Sequence, residues 1–554
     1  MQPRLAEAVT AFQQGRLDRA RELANLELKQ NPDSAKTHHL LGLIECRAGR
    51  LTEGAEWLRR AVDAEPANVA FRVMLVRALI DSGKVDQALS VAAPPSGIDQ
   101  STLPLWHARA EAADSAGRRE VAASAWRCVC ALQPSDWRVW INLGRDLLAL
   151  NRLDEAEEAY SRAVSLAPRN PDVIRQLGLV FERANKNAQL GELLDNAIAS
   201  GVPRERLADI LAVRELRSGR RSEAGKLLSA ADPKEDPVRW HRLAARIADD
   251  QGDATQAFAA ASAMNQALAH RDSWVARAAE YRSNLSRSTQ SITPQWAETL
   301  PQFPSETRPL AFIVGFPRSG TTLLDTFLMG HPDIVVLEEK GLIAAAADEV
   351  GPPESLDSAD PNALRHAREN YLARLDDLTG RASCLVIDKA PLNMLHAPVI
   401  HLFFGGAPIM FVRRHPCDTV LSCFMQSFTP NLSTANFLDV RDAADFYDLT
   451  MRFWEACRSV LPLNVHTISY EELVADPERQ LRAAVDFLNL PWDDRLLDHR
   501  QTAADRGPVA NTSYEQIVQP LNASAVGRWR RYETQLEPVL PLLLEWASRL
   551  GYPT

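Results

Sequence analysis

The sequence predicts a multidomain chain: an all-α helical-repeat solenoid followed by an α/β domain built on a parallel sheet. Three observations predict it. Turn-forming residues recur every 34 positions through the first half, and apolar β-type runs alternate with helical patterns through the second. The first of those apolar runs leads directly into a Gly-containing, hydroxyl-rich loop and then a helical segment. A fixed period of this kind means one helix–turn–helix unit stacked on copies of itself. Strand–helix alternation means a parallel sheet with helices on its faces.

The period is carried by Gly15, Gly49, Gly83 and Gly117, continued by Asn151 and Asn185, and rejoined by Gly219. Gly and Asn tolerate the left-handed turn that ends a helix. Five residues after most of them stands a small residue, Ala20, Gly54, Ala88, Ala122, Ala156 or Ala224. There it lets the second helix of a pair pack closely on the first. Pro32, Pro66, Pro134 and Pro168 share the period at the point where a helix should stop. The pattern is similar to the tetratricopeptide repeat, most clearly from Met1 to about Asn170. Gly252 falls one residue out of register, as expected of an atypical last pair. Stacked pairs present a concave face, read here as the site of a protein or peptide partner, with a spacer or dimerisation scaffold as the alternative. Trp106, Trp126, Trp137 and Trp140 are expected to pack in the interior. The solenoid is assigned to residues 1–269, a linker to 270–308 and the second domain to 309–554. The linker is Ser-rich, with a first part that is compatible with a helix, and then carries Pro294, Pro301 and Pro304, with Pro309 just beyond, the Pro-rich end reading as the domain boundary.

In the second half, strands are expected at Leu310–Val314, Ile334–Leu337, Cys384–Ile387, Ile409–Val412 and Val465–Ile468. Helical patterns lie between them, such as Asp442–Val460 and Pro477–Leu488. After the first strand comes Pro317-Arg318-Ser319-Gly320-Thr321-Thr322. The Gly lets backbone approach a ligand, and hydroxyls and helix-start N–H groups suit an anion. The loop is P-loop-like without being a Walker A, because no Gly-Lys-Ser/Thr is present and the charge, Arg318, precedes the Gly. A second loop, Phe411 to Ser422, again reads as strand end, turn and helix start, with Arg414 and Ser422 eight apart. In parallel sheets ligands sit at the carboxyl ends of strands. Arg318, Glu339, Lys389, Arg414 and Tyr470 all fall at such ends, which points to one shared site.

The two loops together resemble the sulfotransferase superfamily. Further segments are similar to its tyrosylprotein-sulfotransferase-like branch: Gly330-His331-Pro332 followed by Glu338-Glu339, Asp388-Lys389-Ala390-Pro391, Tyr470-Glu471-Glu472-Leu473, and Asn511-Thr512-Ser513 with Gly527-Arg528-Trp529. The resemblance covers Arg308 to Tyr552. It implies 3′-phosphoadenosine 5′-phosphosulfate (PAPS) as donor and no metal. Arg318, Ser319, Gly320, Thr321 and Thr322 then face the 5′ end of the nucleotide, and Arg414 and Ser422 the 3′ end. Tyr470, Ser513 and Arg528 line the nucleotide. Lys389 and Arg318 contact the sulfuryl or bridging oxygen. Glu339, 21 residues after Arg318, takes the acceptor's proton, with Glu338 as its competitor. The acceptor is a hydroxyl, with tyrosine on a peptide gathered by the array as one candidate among sugars and small alcohols.

Other features bound this reading. A net charge of -10 argues against a nucleic-acid binder. Seven cysteines without CxxC spacing argue for reduced thiols. No charged start with an apolar core stands at Met1, and no apolar run nears the roughly 18 residues of a membrane span, so a cytoplasmic location is expected. Asp388 also imitates a Walker B carboxylate. Arg413 reads as a structural neighbour, and His331 and His415, each before a Pro, as turn-packing residues. Two alternatives remain at this stage: a P-loop-like kinase or NTPase, and a non-enzymatic tetratricopeptide adaptor.

Overall fold

The computed structural model describes residues 3–93, 102–269, 273–301, 303, 308–380, 384–506 and 523–553. The chain forms two compact units, Met1–Ile210 and Leu211–Thr554.

The first unit consists of paired helices, beginning Pro3–Gln13 with Leu17–Gln30, Ala35–Arg47 with Leu51–Ala64, and Val69–Asp81 with Val85–Val91. The 34-residue register is visible in the backbone: Gly15, Gly49, Gly83, Gly117, Asn151 and Asn185 all take left-handed φ, between +55° and +82°. The prolines act as expected. Helices end at Gln30, Ala64, Leu132 and Leu166, each two residues before its Pro. Two residues after each Pro comes the cap of the next helix: Ser34, Asn68, Asp136 and Asn170 accept the N–H of Thr37, Phe71, Arg138 and Asp172. Each such cap contributes about 1 kcal/mol. Ala20, Ala88, Ala122 and Ala156 are fully buried, and at Gly54 a Cβ would strike Cys46 of the preceding helix. Interior packing holds for Trp126, whereas Trp106, Trp137 and Trp140 are half-buried. Trp140 instead donates from Nε1 to the Pro134 carbonyl at 3.0 Å, in an exposed setting.

The second unit begins earlier than the repeat period indicates. Helices Pro237–Gln251, Ala254–Ala269 and Trp274–Ser291 belong to it, so the sequence boundary at 269/270 differs from the compact division at Ile210. The segment assigned as linker is largely helical where described. Ala278, Tyr281, Leu285 and Ser288 form one stripe at helical spacing, and Leu285, Ile292, Trp296 and Leu300 join the same core as Phe312, Phe404 and Trp454. Its first part is the helix that the sequence left open, Trp274–Ser291, with small residues on its packing face. Among the described residues no helix is long and apolar enough to cross a membrane.

Five parallel strands follow: β1 Leu310–Gly315, β2 Ile334–Glu338, β3 Leu385–Lys389, β4 Ile409–Arg413 and β5 Val465–Ser469, in the order β2-β3-β1-β4-β5. All five match expectation within one or two residues. Side chains alternate between two apolar layers: Leu310, Phe312 and Val314 face one, Ala311 and Ile313 the other. This two-sided burial is why parallel strands read as unbroken apolar runs. It also leaves the carboxyl ends as the place where polar residues gather.

Candidate active site

Strand β1 ends on Gly315 because no side chain fits there: a Cβ would fall on the Val412 carbonyl of β4. The chain then turns into helix Thr321–Leu328. Gly320 has φ +105°, and a Cβ on it would meet the Tyr470 ring at 2.6 Å, so this position needs glycine for both conformation and space. Arg318 takes φ +67° with a side chain present, a conformation costing about 1–3 kcal/mol that its surroundings must hold in place. Thr321 and Thr322 are buried in the first helical turn, where N–H groups have no intrahelical acceptor. Ser319 is 1% exposed, and its Oγ has no hydrogen-bond partner among the described residues.

The second loop comes alongside. Helix Pro416–Phe424 carries Ser422, whose Oγ accepts from Arg318 Nε at 3.1 Å. Arg414 donates through Nη1 to the Arg318 carbonyl at 3.3 Å and through Nη2 to the Ala525 carbonyl, and its guanidinium lies 4.8 Å from the Tyr470 ring centroid. Its Nε is buried with no partner among the described residues. Burial pushes the Arg318 guanidinium down to about 10, and the charges of Arg414 and Arg528 add to that lowering. Arginines crowded out of water, beside a buried hydroxyl and a helix start, form a site that favours a multiply charged anion.

Lys389, at the end of β3, has no exposed surface and sits among three carboxylates: Asp325 at 3.0 Å, Glu338 at 2.8 Å and Glu339 at 3.1 Å. Burial alone would lower its pKa, but the Asp325, Glu339 and Glu338 charges outweigh burial and raise it. It is therefore a fixed cation. The two glutamates differ in exposure, Glu338 at 12% and Glu339 at 48% of the side chain. Glu339 also takes left-handed φ, +50°, while its N–H donates to the Lys389 carbonyl at 2.7 Å.

Residues 309–494 match the sulfotransferase family, and residues 5–69, 47–112 and 137–170 match tetratricopeptide-repeat models. The chain carries a sulfotransferase domain. An uncharacterized protein of Aquifex aeolicus (strain VF5) is 24% identical over 97% of this chain and 73% of its own length. Protein-tyrosine sulfotransferase A of Caenorhabditis elegans is 26% identical over 45% of this chain and 68% of its own length. Among solved structures, the sulfotransferase domain of the Synechococcus PCC 7002 olefin synthase is 22% identical, covering 46% of this chain and 98% of that one, with a TM-score of 0.33.

Three further carboxylates organise the sulfotransferase domain; Asp418 and Glu471 lie inside segments the sequence singled out, but neither was assigned a role. Asp325 interrupts the apolar helix after the first loop and is fully buried against Lys389; an acid within Leu323-Leu324-Asp325-Thr326-Phe327 was the available signal. Asp418 accepts the N–H groups of Gly527 at 2.7 Å and Trp529 at 2.8 Å, fixing the closing turn. Glu471 accepts from the His415 N–H at 2.9 Å, Ser469 Oγ at 2.8 Å and Tyr552 OH at 3.0 Å, fixing the start of the second loop. Asp388 is spent on structure: it accepts from Tyr371 OH and Asn393, and burial pushes its carboxyl up to about 6. His415 stacks on Trp529, and His331 lies 2.9 Å from the Pro491 carbonyl. Arg413 donates to the Leu550 carbonyl. Arg528 pairs with Asp249. Asn511, Thr512 and Ser513 lie outside the described residues.

Proposed function

We propose that this sulfotransferase takes its sulfuryl group from PAPS and delivers it to a hydroxyl, with the repeat array gathering a protein partner or substrate. The observation that carries this reading is the meeting of Arg318, Arg414 and Ser422 from two loops around buried polar atoms, Ser319 Oγ and Arg414 Nε, that have no partner among the described residues. Buried polar groups without partners are rare and call for one. An anionic nucleotide with phosphate groups at both ends of its ribose supplies the acceptors that these donors lack, so the residues present fit the donor.

In this reading PAPS brings the group to be transferred and leaves as the 3′,5′-bisphosphate. The chain's own part is to hold and to neutralise. Ser319, Gly320, Thr321 and Thr322 offer hydroxyls and N–H groups to the 5′ end, and Arg414 and Ser422 grip the 3′ phosphate. Tyr470, against Gly320 and beneath Arg414, lines the nucleotide, as Arg528 does. Arg318 stabilises charge that builds during transfer. Lys389, assigned with Arg318 to the sulfuryl or bridging oxygen, also holds Glu338 and Glu339 at the acceptor side, and Glu339, the more exposed of the two, receives the hydroxyl proton. Protein tyrosine is the acceptor class named for the Caenorhabditis elegans relative, and we extend it to this chain as the first acceptor to try.

Calorimetric titration with adenosine 3′,5′-bisphosphate and, separately, with ATP plus magnesium tests the donor class. Preference for the bisphosphate is expected. Preference for magnesium-ATP would move the domain to the kinase or NTPase alternative, and binding of neither by folded protein would favour the adaptor. Arg414→Ala is expected to weaken the bisphosphate at least tenfold more than adenosine 5′-phosphate, about 1.4 kcal/mol of selective loss. Equal losses for both nucleotides would remove Arg414 from the 3′ site.

A further inference from the structure

Helix Pro237–Gln251 lies outside the region that matches the sulfotransferase family, yet one of its side chains reaches a residue of the donor site. Asp249 pairs with Arg528 through Oδ2 and Nη2 at 3.0 Å, with Oδ1 and Nε at 3.4 Å. The same carboxylate accepts from Tyr532 OH at 2.6 Å and pairs with Arg531 at 3.1 Å, while its backbone carbonyl accepts from Arg531 at 3.3 Å. Arg528 also touches Met425 Sδ at 3.2 Å, and Met425 caps the helix that carries Ser422. Asp418 holds the same turn from the other side through the Gly527 and Trp529 N–H groups. Asp249 thus holds the Arg528 guanidinium, while Asp418, on a separate element, fixes the backbone on either side of it.

We propose that Asp249 is a positioning residue for the nucleotide site: it orients the Arg528 guanidinium toward the donor, so that a helix preceding the sulfotransferase domain supplies part of the donor grip. The proposal rests on the reading that Arg528 lines the nucleotide. A two-pronged carboxylate–guanidinium contact fixes direction as well as charge. Without it, a long flexible side chain must be ordered by the nucleotide itself, at the expense of affinity.

The full chain tests this. In Asp249→Asn, the Kd for adenosine 3′,5′-bisphosphate is expected to rise about tenfold, since an amide replaces the charged half of the fork. In Arg528→Ala, adding Asp249→Asn should change affinity by less than about twofold, because a residue acting through Arg528 has nothing left to orient. A general structural role would lower affinity in both backgrounds. Asp249→Glu keeps the charge that Arg531 and Tyr532 require, and so tests the fork even if Asp249→Asn fails to fold; about threefold weaker binding is expected, since the longer side chain displaces the pair. Unchanged affinity in folded Asp249 variants overturns the proposal alone. Tighter binding also overturns it, because the carboxylate would then be competing with the nucleotide for Arg528. Absence of bisphosphate binding in the unaltered chain overturns the donor reading, and this proposal with it.

Discussion

Glu339→Gln is expected to cut sulfate transfer by about 10²–10⁴-fold, the usual contribution of a general base, while the Kd for adenosine 3′,5′-bisphosphate stays within about twofold. Gln keeps the shape of the side chain and an oxygen for Lys389, but it has no basic oxygen to take a proton. The contrast with Glu338 sharpens the test. Glu338 is the more enclosed partner of Lys389, at 2.8 Å and 12% exposure, so Glu338→Gln should loosen the lysine cluster more and turnover less. Single-turnover kinetics with labelled donor, alongside calorimetry, separates the two. A larger loss of turnover in Glu338→Gln would transfer the role of base to Glu338. Weakened nucleotide binding in Glu339→Gln would contradict the assignment outright.

A fragment beginning at Pro309 is expected not to fold, although it contains every strand and every candidate site residue except Asp249. It lacks Leu285, Ile292, Trp296 and Leu300, which belong to the same core as β1. It also lacks Phe258, stacked on Phe424 at 4.6 Å, and Asn265, whose amide caps the Phe424 carbonyl at 2.9 Å and the Phe437 carbonyl at 3.3 Å. The Arg282–Asp442 pair and the bond from Trp296 to the Pro353 carbonyl go with them. Each large apolar side chain removed costs about 1.5–3 kcal/mol of burial, so the sum reaches the 5–15 kcal/mol that a domain typically has in total. A fragment beginning at Gly201 retains all of these contacts and should show a cooperative thermal transition by circular dichroism. A soluble, cooperatively melting 309–554 fragment would show that these helices are dispensable to the fold.

The sequence was most legible where a single segment carries a complete signal. The central strands β1, β3 and β4 were visible because both their faces are buried, the half-buried edge strands β2 and β5 because β-branched residues dominate them, and the 34-residue turns because only Gly and Asn sit easily at their backbone angles. Arg414 and Ser422 could be paired because one short turn and one helix start separate them. The lysine cluster was legible only in part: Glu339 and Lys389 could be placed at one end of the sheet, but Asp325, from the helix after β1, could not, and only the sheet order brings Asp325, Glu338, Glu339 and Lys389 to one point. Asp249 stands 279 residues from Arg528, beyond any spacing argument. The helix Trp274–Ser291 was open in the sequence, but not its place in the core, because two members of its packing stripe, Ala278 and Ser288, carry little hydrophobic signal.

The arginine crowding has a consequence for the protein when no ligand is bound. Like charges held in a confined space repel one another unless something anionic lies between them. The folded state therefore contains a self-repulsion that the unfolded chain, with its arginines dispersed in water, does not share. Any small multivalent anion that fits among them relieves it and, by mass action, raises resistance to heat. Buffer composition is thus expected to act on this domain as a ligand does, with a higher melting temperature in phosphate than in chloride at equal ionic strength.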